Sequence, residues 1–222
     1  MNENDQYITD LVSVFREDYF LLYDFDLIFS TNKLQIDLLN ETACNFFNRL
    51  SGLYSAHFFL KISQMLDPVE HNNHKNFSLY GLLGLAKKNQ DHDQLKKKID
   101  AIKGEVDAGK IKQVRNKYIA HRDINYKNIS NTSVEFEKIK QLYDRIGDCI
   151  NDVLESLGKQ KEIWSVFIPD NRYGAMALLE CLKESMIYLE IKINRKDTIA
   201  THNEAKKTKY GELQFKSSIW KS

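Results

Sequence analysis

The sequence predicts an all-helical protein: an antiparallel bundle of five to six helices with a short irregular or β-hairpin C-terminal tail. Three observations lead there. Apolar residues recur at steps of three and four along most of the 222 residues, the period of one helix face. Only two prolines and nine glycines interrupt that pattern, and these two residue types break helices most strongly. Hydrophobic residues make up 42% of the chain, enough for an ordinary globular core.

The first helix is expected over residues 6–30, with Ile8, Leu11, Phe15, Tyr19, Leu22, Phe25 and Phe29 on one face. Asp10, Glu17 and Asp24 repeat every seven residues on another face and read as a solvated stripe. A turn at Ser30-Thr31-Asn32 leads into a second helix, 33–66, whose buried face is traced by Leu39, Ala43, Phe46, Leu50, Leu53 and Phe58. Gly52 is its expected bend. Continuous, it would be about 50 Å long at 1.5 Å per residue. Phe20, Phe47 and Phe59 fall off the single stripe, which marks these helices as central or as an oligomer surface.

Asp67 to Asn76 is a polar loop. His71 and His74, with Asp67 and Glu70, resemble metal ligands in type, but no second His pair or cysteine supports a site, so no metal and no cofactor is expected. Ser78 is placed as an N-cap before Leu79, Leu82, Leu83 and Ala86. A charged helix follows with Leu95, Ile99, Ile102 and Val106 as its apolar edge, and Gly104 and Gly109 bracket its break. Its Lys96-Lys97-Lys98 run is a solvated face or a nucleic-acid contact. The next helix starts near Lys110, with Ile111, Val114 and Tyr118 on its core face. Thr132-Ser133-Val134-Glu135 fits a capping box for a helix running through Phe136, Ile139, Tyr143, Ile146, Ile150, Val153 and Leu157, closed by Gly158. After a connector, 159–172, a last helix carries Met176, Leu179, Leu182, Met186, Leu189 and Ile193. The reading is a bundle over 1–193 and a basic extension over 194–222, in which Tyr210 to Phe215 has the makings of a short strand.

Net charge is +1 but unevenly spread. Residues 1–50 hold nine acids and three bases, 87–122 eleven bases and five acids, and 194–222 seven bases and three acids. A basic middle attracts a polyanion; alternatively it packs beside the acidic first helices. The opening Met-Asn-Glu-Asn-Asp lacks the basic and apolar segments of a signal peptide, and no stretch of about 20 apolar residues exists to span a membrane. The expected location is the cytoplasm, where Cys44, Cys149 and Cys181 stay free thiols.

The basic middle contains Val114-Arg115-Asn116-Lys117-Tyr118-Ile119-Ala120-His121-Arg122-Asp123. Arginine stays charged and grips a phosphate through two parallel hydrogen bonds. Histidine moves a proton near neutral pH. Arg115 and His121 are six positions apart, so on an ideal helix they diverge by roughly 120°. Either the helix ends near Ile119 and His121 swings back, or both groups face a cleft shared with a second copy. Plainer roles are open too: a helix C-cap for His121, an ion pair with the acidic helices for Arg115. A second Arg–His pair, Arg195 and His202, lies in the unpatterned tail and has Lys196 where the central pair has Asn116.

Arg-Asn-Lys-Tyr-Ile-Ala-His in the second half of a helical bundle resembles the signature of the HEPN superfamily. Asp67-Pro68, Asn76-Phe77-Ser78-Leu79 opening a helix, and the Arg115–Asp123 stretch together look closest to its AbiU-type abortive-infection branch. The resemblance spans roughly residues 10–190. It implies a metal-independent endoribonuclease, often a toxin or antiphage effector, or a non-catalytic dimer that binds RNA or protein. It implies Arg115, Asn116 and His121 as catalytic residues, Lys112, Lys117 and Arg122 as RNA-binding residues, a homodimer, and a possible antitoxin of the minimal nucleotidyltransferase type as partner.

Overall fold

The computed structural model describes residues 2–29, 32–71, 74–86, 92–108, 111, 136–164, 174–194, 205 and 207–214. They form six helices: α1 (Glu3–Ile28), α2 (Lys33–Met65), α3 (Leu79–Leu85), α4 (His92–Ala108), α5 (Phe136–Ser156) and α6 (Ala175–Asn194). A minimal antiparallel ladder, β1 (Glu70–His71) with β2 (His74–Lys75), sits inside the expected polar loop, pairing Glu70 with Lys75 and His71 with His74. The chain divides into two compact units: 1–20 with 55–164, and 21–54 with 165–222.

In the first unit α3, α4 and α5 pack on one another. The apolar edge expected for α4 is buried in full: Leu95, Ile99, Ile102 and Val106. Gly104 does not end that helix, which runs on to Ala108. The α1 residues Leu11 and Phe15 and the α2 residues Phe58 and Ile62 are also buried. Phe15 stacks on Tyr143 at 5.8 Å and takes the edge of Trp164 at 4.8 Å, while Phe58 meets Tyr143 edge-on. Helix α5 ends as a glycine motif requires. Gly158 has φ +70°, the Lys159 N–H reaches the Leu154 carbonyl at 2.8 Å, and the Gly158 N–H reaches that of Glu155 at 2.9 Å.

Ser78 is the N-cap of α3, accepting the Gly81 N–H at 3.3 Å. The segment before it is clamped by Tyr7 from α1. The Tyr7 hydroxyl accepts the Ser78 N–H at 3.0 Å, and its own proton faces the carbonyls of Asn76 (3.0 Å) and Ser78 (3.2 Å). Only a glycine leaves space for that hydroxyl, since a Cβ on Gly81 would stand 2.0 Å from it.

In the second unit Asn32 caps α2 by accepting the N–H groups of Leu34 and Gln35. The buried Gln35 amide donates to the last carbonyls of α1, Leu27 at 2.5 Å and Ile28 at 2.8 Å, groups that a helix end otherwise leaves unpaired. Helix α2 breaks at Ala43 (φ −159°, ψ 63°), not at the expected Gly52. That non-helical residue resets the phase of the apolar stripe. Phe47 is therefore buried, while Phe46 and Leu53, both expected inside, are 58% and 69% exposed. In α6 the core positions are Leu179, Ile187 and Ile191; Leu189, expected inside, is exposed. Residues 207–212 of the tail are turns and bends, and 213–214 have no regular structure, so the expected strand is absent from its described part. Tyr210 and Leu213 nevertheless join the core with Leu38, Leu39 and Leu179. The Tyr210 hydroxyl donates to Glu41 at 2.6 Å, and Lys209 pairs with Glu41 and Asp37.

The Tyr7 clamp yields a prediction. Gly81→Ala forces the tyrosine out and is expected to destabilise by about 2–4 kcal/mol, and Tyr7→Phe by about 1–2 kcal/mol. The double variant should fall short of the sum, because both changes act on one contact. Urea unfolding midpoints measure all three; strict additivity would count against the clamp.

Candidate functional site

The residues singled out for catalysis and RNA contact, Lys112, Arg115, Asn116, Lys117, His121 and Arg122, lie outside the described residues, as do Thr132–Glu135, Arg195 and His202. On their N-terminal side Ile111 is helical and buried. On the other side the described chain resumes at Phe136, the first residue of α5.

What the described part of the first unit does build is a buried polar centre. Asp18 of α1 is 3% exposed. One carboxylate oxygen is hydrogen-bonded to His57 Nε2 at 2.8 Å; the other lies 3.8 Å from Lys61 Nζ and has no hydrogen bond among the described residues. His57 and Lys61 stand one helical turn apart on α2, so both reach the same point on α1. Burial pushes the Asp18 carboxyl above its usual range, with the charge of Glu17 adding to it, against the pull of the His57 hydrogen bond and of Lys61. The Tyr143 hydroxyl is buried without a hydrogen bond among the described residues. Burial, and secondarily the Asp18 charge, drives its pKa well above normal. Nearby in sequence, the Tyr19 hydroxyl donates to Asp144 at 2.9 Å.

Sequence reading missed Asp18, because it attended to the regular stripe of Asp10, Glu17 and Asp24. The available signal was position: Asp18 stands beside Tyr19 and between Phe15 and Leu22 in phase, on the edge of the apolar face. Glu17 is exposed as expected. Asp24 is not a plain solvated residue: burial raises its carboxyl pKa, and it accepts the backbone N–H of Ala175, the first residue of α6.

Lys61 also lines a cavity of about 280 Å³. Val14, Met65 and Phe77 form its apolar walls, and Gln64, Asp67 and Asn76 add polar groups. The Asn76 amide nitrogen donates to the Pro68 carbonyl at 2.9 Å.

Of the Lys96–Lys98 run, Lys98 is bonded to Asp152 at 2.5 Å, while Lys96 and Lys97 are exposed. No group of three or more His, Cys, Asp and Glu placed to hold a metal occurs among the described residues, and the side chains of His71 and His74 are not among those described. No helix among the described residues is long and apolar enough to cross a membrane. Cys149 is buried, its thiol pushed up to about 11 by burial; Cys44 and Cys181 are exposed free thiols.

Residues 6–178 match the family model described as AbiU2, a HEPN family. The match takes in α1 to α5, the start of α6 and the whole Arg115–Asp123 stretch, well over half of the chain. The chain therefore belongs to the AbiU2 family of HEPN proteins, a family associated with abortive infection. No curated protein and no solved structure matches it.

Asp18 supplies a prediction with a definite sign. Its carboxyl pKa is raised in the folded chain above the unfolded value of about 3.9, so the folded state holds that proton more tightly. The resulting stability is present in full below about pH 3.9 and is lost as pH rises through the raised folded value. In urea unfolding between pH 7 and pH 4, the wild type is expected to gain on Asp18→Asn as pH falls. A difference that stays constant over that range would count against a raised Asp18 pKa.

Proposed function

We propose that this AbiU2 protein is a metal-independent endoribonuclease of an abortive-infection or toxin–antitoxin type defence system. The observation that carries the reading is that a chain of this family has Arg115, Asn116 and His121 together in an Arg-x5-His arrangement. The RNA's own 2′-hydroxyl attacks the adjacent phosphorus, the bond to the 5′-oxygen breaks, and a 2′,3′-cyclic phosphate and a 5′-hydroxyl result. His121 takes the 2′-hydroxyl proton or gives one to the leaving 5′-oxygen. Arg115 holds the scissile phosphate and stabilises the added negative charge of the transition state. Asn116 orients the phosphate or the imidazole by a hydrogen bond. Lys112, Lys117 and Arg122 attract the RNA backbone. One histidine cannot be base and acid at once, so a homodimer with the motif from each copy facing one cleft supplies both. An antitoxin of the minimal nucleotidyltransferase type is a candidate regulator.

The test is cleavage of total cellular RNA by the purified protein with EDTA present, beside Arg115→Ala and His121→Ala shown to fold and dimerise. Expected are fragments with cyclic-phosphate ends and a loss of about 10²- to 10⁴-fold in either variant. No cleavage, or cleavage unchanged in both variants, would replace the enzyme with a non-catalytic HEPN dimer that binds RNA or protein.

A further inference from the structure

We propose that the α2 stripe of Phe46, Leu50 and Leu53 is where a second copy of this chain packs, antiparallel and related by a two-fold axis near Leu50. The stripe is regular. Beyond the break at Ala43 the helix continues to Met65, and positions 46, 50 and 53, at steps of four and three, share one face. Phe46 is 58% and Leu53 69% exposed, while Leu50 is partly buried against the core of the second unit. The Phe46 ring stands edge-on to the buried Phe47, 5.2 Å between centroids, which limits the freedom it loses on pairing.

Composition marks this surface for protein. From Thr42 to Ala56 the only charged residue is Arg49, in a chain that is 28% charged. Loss of charge with aromatic residues and arginine retained is the mark of an interface core. A helix face turned to water carries charged and polar residues instead. A nucleic-acid surface needs several cations, and this stretch has one. Asn45 and Asn48, both exposed, add uncharged polar surface around the helix.

Geometry selects a second copy as the occupant. In a two-fold interface residue i touches j and j touches i, so the stripe must match itself read backwards. At 1.5 Å per residue, Phe46 lies about 6 Å to one side of Leu50 and Leu53 about 4.5 Å to the other. Turning a copy about Leu50 lays each Phe46 on the other copy's Leu53 and Leu50 on Leu50, apolar on apolar throughout. The two Arg49 side chains fall on the same flank, a like-charge cost that salt screens. Two helical turns from each copy make a small contact, so the pairing is weak and reversible.

This inference is argued from α2 alone and does not rest on the cleavage reading: a chain without nuclease activity would still pair, and a nuclease could pair through another face. The experiment is sedimentation of the ribonuclease-treated full chain up to about 0.5 mM, for the wild type, Phe46→Gln and Leu53→Gln. Both positions face solvent in the single chain, so unfolding midpoints in dilute solution should match the wild type. The wild type is expected to show a monomer–dimer equilibrium that tightens with added salt and weakens at least about tenfold in either variant. Cross-linking locates the axis, using Arg49→Cys and Asn48→Cys, each with Cys44 and Cys181 replaced by serine. A short bismaleimide should join two copies through position 49 and not through position 48, which points about 160° away from Phe46. A wild type that stays monomeric throughout, a dimer indifferent to both glutamine variants, or cross-linking that favours position 48 would each overturn the proposal. The second of these leaves a homodimer built on another surface, so failure here is distinguishable from failure of the cleavage reading.

Discussion

The Tyr7 hydroxyl is the contact on which the described architecture around the cavity depends. A phenol is both donor and acceptor, and here each function is spent on backbone of the segment that leads into α3. Among the described residues that segment is also held by a ladder of two residues per strand, the Asn76 N–H to the Val69 carbonyl at 2.8 Å, the Asn76 side-chain bond and the Ser78 cap. A ladder so short contributes little stability alone. The absence of a side chain at Gly81 lets the half-buried Tyr7 hydroxyl approach closely enough to fix the start of α3, and the Tyr7 ring packs on that of Phe77. The same contact thus serves helix capping, loop placement and cavity shape.

Asp18 shows the opposite balance. Burying a carboxylate is costly unless it is paired, and among the described residues one oxygen is bonded to His57 while the other has Lys61 at 3.8 Å and no hydrogen bond. The raised pKa of Asp18 expresses that shortfall. Replacing such a centre by apolar residues is often neutral or stabilising, so stability alone does not account for it. Lys61 belongs both to this centre and to the lining of the neighbouring cavity.

The second unit solves a different problem. A kinked α2 cannot keep one apolar stripe along its length, and the break at Ala43 leaves Phe46 and Leu53 outside while Phe47 goes in. The tail makes good part of the core. Tyr210 and Leu213 are buried in it, and Glu41 of α2 receives both the Tyr210 hydroxyl and the Lys209 ammonium. A segment without helical period is therefore not surplus chain: its apolar side chains fill space beside α2 and α6.

By itself the sequence determined the helical class, because periodicity is a local property. The faces of α1, α4 and α5, the Ser78 cap and the Gly158 terminus follow from residues a few positions apart. It also carried the family, since Arg115, Asn116 and His121 and the Asp67–Leu79 segment are readable as strings of residue types. Their spatial arrangement was not readable, because six positions on a helix leave two side chains diverging and only the surrounding fold can say what they meet. Tertiary structure alone decided the rest that is described: the break at Ala43, the burial of Tyr210, the meeting of Asp18 with His57 and Lys61 across 39 and 43 positions of chain, and the reach of Tyr7 to Ser78. The physical reason is common to all four. Each depends on which long-range neighbours exclude water from a given side chain, and no local pattern of residues encodes that.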